Sequence, residues 1–273
     1  MIKLVLDSSA DLTAMEEIPF SFAPLKVVTQ EEQFIDDETL DVEAMAETLY
    51  NYRGRSTTSC PNPEDWLAAF GDAEEILCIT ITSSISGTYN SARIAKQQYE
   101  EAFPGRRVEL IDSLSAGPEI ALMAEKAREW ILEGRTLAEI AAGLKNYPTE
   151  LFFALESLQN FANNGRVSKL AAKTAGVLGI RAVGRASDHG TLELLEKVRG
   201  EGRTLNTLVR LLEEKGYKGG KARITHCGNP AAAEALSMLI KEQFPGASVT
   251  VAKCRGLCAY YAERGGMLLG FEA

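Results

Sequence analysis

Three apolar runs in this sequence end on polar residues and continue straight into hydroxyl side chains. Residues 2–7 lead to Ser8 and Ser9, residues 75–82 to Ser83, Ser84, Ile85, Ser86 and Gly87, and residues 107–112 to Ser113. If the runs are neighbouring parallel strands, these ends line the crevice where an open α/β sheet takes its ligand. Each also leads toward a helix start, where unpaired amides and the macrodipole favour an anion. Hydroxyls placed there can donate to a carboxylate or a phosphate. The simpler role for each serine is a helix cap. Ser86-Gly87 stands apart, because glycine lets a ligand approach the backbone closely. A fourth cluster, Thr57, Thr58 and Ser59, precedes a helix start at Pro63, where Thr58 or Ser59 has capping as its alternative role.

Other chemistry lacks its signature. There is no G-x-x-x-x-G-K-[ST] (Gly219-Gly220-Lys221 is only a superficial match), no G-x-G-x-x-G and no G-x-S-x-G. His189 falls in a hairpin turn and reads as solvated. His226 ends a strand in THCGNP, as either a ligand contact or a satisfied core imidazole. Cys254 and Cys258 are four apart in CRGLC with no second pair at metal spacing, so neither metal nor cofactor is expected. The 38 acidic residues outnumber the 29 basic ones, giving a net charge of −9. That balance argues against a nucleic-acid partner and allows at most transient contact with an anionic membrane. Five scattered cysteines form no disulfide framework and suggest a reducing compartment, the cytoplasm. The opening apolar run is too short for a signal peptide, and no run nears the ~18 residues of a membrane span.

The elements that must hold these residues alternate in the first half. Strands are predicted over 2–7, 75–82 and 107–112, with an extended segment over 24–29. Helices are predicted over 42–53, from Pro63, from the SSISG run to about Phe103, over 118–133 and over 137–147. This order implies a parallel sheet covered by helices. After Pro148 the pattern changes. A strand over 151–155 and helical stretches over 158–163 and 170–178 precede two strands, 181–187 and 191–199, joined through Asp188-His189-Gly190 as a hairpin. Helices over 205–215 and 230–244 and strands over 223–227, 249–254 and 267–271 complete the chain. The expected division is 1–148, a parallel α/β lobe, and 149–273, an α+β lobe with a mixed or antiparallel sheet.

The ordered segments resemble the DegV family of bacterial fatty-acid-binding proteins over nearly the whole chain. They are DSSADL at 7–12, PLKV at 24–27, TTSCP at 57–61, SSISGTYNSA at 83–92, IDS at 111–113, NNGRVSK at 163–169, KVRG at 197–200, ITHCGNPAAAEAL at 224–236 and LGFE at 269–272. SSISGTYNSA is the most specific. The resemblance implies a two-lobed α/β carrier that encloses one long-chain fatty acid. A separate ATP-dependent fatty acid kinase subunit then phosphorylates the presented carboxylate, and the product enters phospholipid synthesis. It assigns the carboxylate to Thr58 and Ser86, with Gly87 offering its amide; Ser59, His226 and Cys254 are further expected ligand contacts. Arg199 becomes a cationic contact, and Arg166 matches a further family arginine.

Two departures accompany it. Cys254 stands where the family has a histidine, and a thiol is a poorer donor than an imidazole. Arg255 adjoins it. Counting from Asp112 also places Glu119 and Ala121 where the family has glycines, and a carboxylate beside the ligand's own would repel it. Two alternatives therefore remain: a carrier of a different anionic or lipid-like ligand with no kinase role, and an acyl hydrolase using Ser86 as nucleophile or His226 as base.

Overall fold

The computed structural model describes residues 1–168 and 179–273. The helix expected over 170–178, and Lys169 of the NNGRVSK segment, lie outside them. Strands β1 (Lys3–Asp7), β2 (Phe20–Ala23), β6 (Glu75–Thr80) and β7 (Arg107–Asp112) form an all-parallel sheet in the order β2-β1-β6-β7. Side chains alternate across it, as the two-residue strand period requires. Leu4, Leu6, Leu77 and Ile79 meet helices α4 (Pro118–Leu132) and α5 (Leu137–Leu144). Val5, Ile76 and Cys78 meet α2 (Pro63–Phe70) and α3 (Thr88–Ala102) on the other face. Reciprocal capping boxes, Asn62 with Asp65 and Thr136 with Glu139, fix the starts of α2 and α5.

The second sheet is mixed, in the order β10-β9-β8-β13-β11-β12. Its strands are β8 (Thr149–Leu155), β9 (Ile180–Ala186), β10 (Leu192–Arg199), β11 (Lys221–His226), β12 (Ser248–Lys253) and β13 (Met267–Glu272). Only β11 and β12 pair in parallel, across helix α8 (Pro230–Gln243). Along β8, Phe152 and Ala154 join the outer core under α7 (Glu201–Glu214) and α8. Phe153 and Leu155 join the inner core with α6 (Gln159–Asn163) and α9 (Gly256–Ala262).

Several elements differ from expectation. The Thr57–Ser59 segment is a strand, β5, in a small antiparallel sheet β4-β3-β5 with β3 (Lys26–Val28) and β4 (Gln33–Ile35), below α1 (Val42–Asn51). Thr58 lies opposite Val27 there, consistent with the liking of β-branched residues for strands. Helix α7 starts at Glu201 rather than 205, directly after Gly200, whose φ of 87° suits glycine. Helix α9 and the strands β2 and β4 carry too few residues for a periodic signal.

Candidate functional site

A cavity of about 310 Å³ lies between the two main sheets. Its floor is the inner row of β8, Leu151, Phe153 and Leu155. Leu25, Ile81, Leu257, Leu268 and Ala262 add apolar wall. The polar lining includes Thr58, Ser59, Cys60, Ser86, Gly87 and Arg166. Thr58 Oγ1 lies 2.8 Å from the Tyr261 hydroxyl, joining β5 to α9. Tyr261 stacks on Phe161, centroids 4.4 Å apart. Tyr260 likewise meets Ser56 Oγ at 2.9 Å, so both tyrosines of α9 hold the strand that carries Thr58.

Ser86 precedes the start of α3, with its Oγ 2.7 Å from Thr88 Oγ1. Gly87 is the N-cap, the Thr88 amide donates to Ser86 Oγ at 3.3 Å, and the first turn of the helix holds no acid. Fifteen residues of aligned peptide dipoles therefore begin at the cavity wall. Ser91 Oγ donates to the Pro61 carbonyl at 2.6 Å and locks α3 to the Thr58 segment. Arg166 reaches across from the loop after α6, donating to the Ile85 carbonyl at 3.1 Å and the Asn164 carbonyl at 2.6 Å. Among the described residues no carboxylate pairs with it. Arg185 also lines the cavity, but it is paired with Glu193 at 2.7 Å and Asp188 at 3.0 Å. Two hydroxyls, a helix start with no acid in its first turn and, among the described residues, a cation without a carboxylate partner thus meet beside an apolar volume. That arrangement accommodates an amphiphile with an anionic head.

The wall helix α9 is held from the first sheet's side. Arg255 N–H donates to Asp11 at 2.8 Å, and the Gly256 and Leu257 amides donate to the two oxygens of Asp36, each at 2.9 Å. Asp7 accepts from the Ile81 amide at 2.7 Å and from Ser9. All three carboxyls are buried, and desolvation raises their pKa values, to about 6 for Asp7 and about 7 for Asp11. Asp36 raises its two neighbours further by like charge, while the hydrogen bonds work the other way.

Three sequence candidates do not line this cavity. Arg199 is exposed at the end of β10 remote from the hairpin turn, opposite Ile180. Eight residues of extended chain, roughly 26 Å, separate it from Thr191 in the wall. His226 is buried at the end of β11, with Nδ1 accepting from the Asn229 amide at 3.3 Å, and burial lowers its pKa. No Ser86–His226 dyad is assembled, because only Ser86 reaches the cavity. Cys254 is buried in the inner core between β12 and α9, its thiol pKa pushed up by desolvation, and Cys258, four residues on and within α9, lines the cavity instead. Glu119 stands behind Ser115, accepting from Ser115 Oγ and, at 3.0 Å, from Thr149. Burial lifts its pKa to about 7. Ala121 is fully buried in α4 and does not line the cavity. Tyr261, Phe153, Phe161 and Cys60 were not anticipated. Among the described residues no His, Cys, Asp and Glu group could hold a metal, and no helix is long and apolar enough to cross a membrane.

The DegV family, described as uncharacterised proteins, matches residues 1–270. The chain is 40% identical over 276 residues to a DegV domain-containing protein of Streptococcus pyogenes serotype M1, covering 99% of each. Among solved structures it is similar to a DegV family protein from Eubacterium eligens loaded with heptadecanoic acid, with a TM-score of 0.98, 44% identity and 100% of each chain covered. It is also similar to the Fatty Acid Kinase (Fak) B3 protein of Streptococcus pneumoniae loaded with linoleic acid, with a TM-score of 0.97, 38% identity and 99% of each chain covered.

Proposed function

This chain belongs to the DegV family, and from that premise we propose that it is a carrier that binds a long-chain fatty acid and presents the carboxylate to a separate ATP-dependent kinase subunit. The acyl chain lies in the cavity over Leu151, Phe153 and Leu155. The carboxylate is held by Thr58, Ser86 and the amides at the start of α3, with Arg166 supplying charge. The observation that carries this reading is the meeting of those groups at an apolar cavity. Burying a sixteen-carbon chain offers about 12 kcal/mol gross, at ~0.8 kcal/mol per methylene. Such a ligand therefore binds tightly through its tail, and the polar groups serve mainly to orient its head.

The relatives loaded with heptadecanoic and linoleic acids support the ligand class, and the Fak B3 relative supports the kinase partnership. Arg199, exposed and outside the lining, suits a contact with that subunit better than one with the ligand. We place the protein in the cytoplasm, where such a kinase finds its ATP. The test is native mass spectrometry of freshly purified protein, followed by extraction and identification of the released molecule. A fatty acid at about one per chain supports the reading. A different ligand, or an empty protein whose thermal stability ignores added fatty acid, refutes it.

A further inference from the structure

A second cavity, of about 180 Å³, adjoins the first. The two share three wall residues, Phe153, Arg166 and Leu192. Arg166 is tethered by its two carbonyl contacts. Leu192 belongs to β10, which is the outermost strand of the sheet. Phe153 is the large apolar ring between the volumes, 4% exposed and fixed on the sheet's interior strand β8. Its position depends on Gly184. A Cβ at 184 would stand 2.3 Å from Phe153 Cζ and 2.3 Å from the Glu193 carbonyl oxygen, so the ring occupies room that only glycine leaves. Beyond the ring the wall holds Leu158, Val167 and Leu194, with Arg166 and Ser168 as its polar members.

We propose that Phe153 determines which acyl chains this protein accepts, closing a side branch that would otherwise take longer or bent ones. The inference rests on the fatty-acid reading above and names the residue that shapes its ligand. With the ring against Gly184, a chain is confined to the larger cavity. Each methylene that finds no room there stays in water and forfeits about fourfold in affinity. Moving or removing the ring joins the two volumes and returns that loss.

The experiment titrates wild type, Phe153→Ala and Phe153→Leu with palmitate, stearate, arachidate and linoleate, reading the affinity of each relative to palmitate within the same protein. This ratio cancels any general weakening of the site. Phe153→Ala is expected to raise the arachidate-to-palmitate ratio at least about tenfold, the return of two or more methylenes. Phe153→Leu should give a smaller rise, and carries the test alone should the alanine variant not fold. Ratios within about twofold of wild type in the folded variants, with palmitate still bound, overturn the inference and leave the carrier reading standing. If wild type binds none of the four acids, the carrier reading fails and takes this inference with it.

Discussion

Replacing Asp36 with alanine should loosen the cavity wall from a point outside the ligand lining. Its two oxygens take the Gly256 and Leu257 amides, both at 2.9 Å, at the start of α9. The residue is 1% exposed, so water cannot easily replace it. Orphaning a buried donor costs about 1–3 kcal/mol, and losing a helix cap typically about 1 kcal/mol. The opposing gain is release from burying a carboxyl, the first cause of Asp36's raised pKa. A net loss of about 3 kcal/mol follows, or a fall in melting temperature of roughly 6–10 °C at this chain length. Because α9 carries Leu257, Cys258, Tyr261 and Ala262 into the wall, fatty acid affinity should fall with it. Asp36→Asn keeps one acceptor oxygen but sets its NH2 group against the second amide, so it is expected to cost about 1–3 kcal/mol, the range for one buried donor left unpaired. Differential scanning calorimetry of the two variants, with and without palmitate, decides the matter. An alanine variant that melts with wild type refutes the capping argument.

Acidification from pH 7.5 to 5.5 should stabilise the fold. Burial raises the pKa values of Asp7, Asp11 and Glu119 to about 6, 7 and 7, so the native state holds more protons than the unfolded chain in this window and stability is lost as pH rises through those values. His226, held low by burial, opposes this below about pH 6.5 but is one group against three. Urea unfolding across the range that showed stability climbing toward pH 7.5 would contradict the burial argument. Ser86→Ala and Thr58→Val should each weaken fatty acid binding about 5- to 150-fold, the range for one buried donor lost, as read by displacement of a fluorescent acid. Unchanged affinity in both would move the carboxylate elsewhere. Arg199→Ala should leave fatty acid affinity at the wild-type value and slow phosphorylation by the kinase. Equal loss of binding would place the guanidinium at the ligand instead. Gly190→Ala should destabilise the hairpin tip by more than about 1 kcal/mol, since φ is 73° and a Cβ would stand 2.0 Å from Thr82 Oγ1, and a thermal melt matching wild type would count against that contact.

Most strands of the two main sheets were legible because they are long enough to carry a two-residue alternation or a β-branched run, whereas the four-residue edge strand β2 was not. Phe152 and Phe153 face opposite cores as that alternation requires. The hydroxyl clusters were legible for a different reason, since Ser86-Gly87 combines a donor with an open helix start in consecutive residues. Counting along the chain failed where tertiary direction decides. Cys254 and Cys258 are four residues apart, but the first precedes α9 and the second lies within it, and only the second reaches the cavity. Arg199 closes β10 and Thr191 stands just before its start, so the strand's length carries them to opposite ends. Tyr261 was missed because its bond to Thr58 spans 203 positions, a pairing that no local pattern announces. The buried acids escaped for the same reason. Asp36 reads as loop in its own segment and acquires its role only from amides more than 200 residues away.

That long-range closure also sets an order in time. Strand β13 lies between β8 and β11 in the middle of its sheet, and α9, just before it, supplies Tyr261. Until both have left the ribosome, the second sheet is split, Thr58 lacks its partner and the acyl cavity has no far wall. A nascent chain can therefore fold its first parallel sheet early while remaining unable to capture a fatty acid. Binding competence would then arrive in one step near the end of synthesis, and ribosome-stalled chains ending before Gly256 should stay empty in the presence of palmitate.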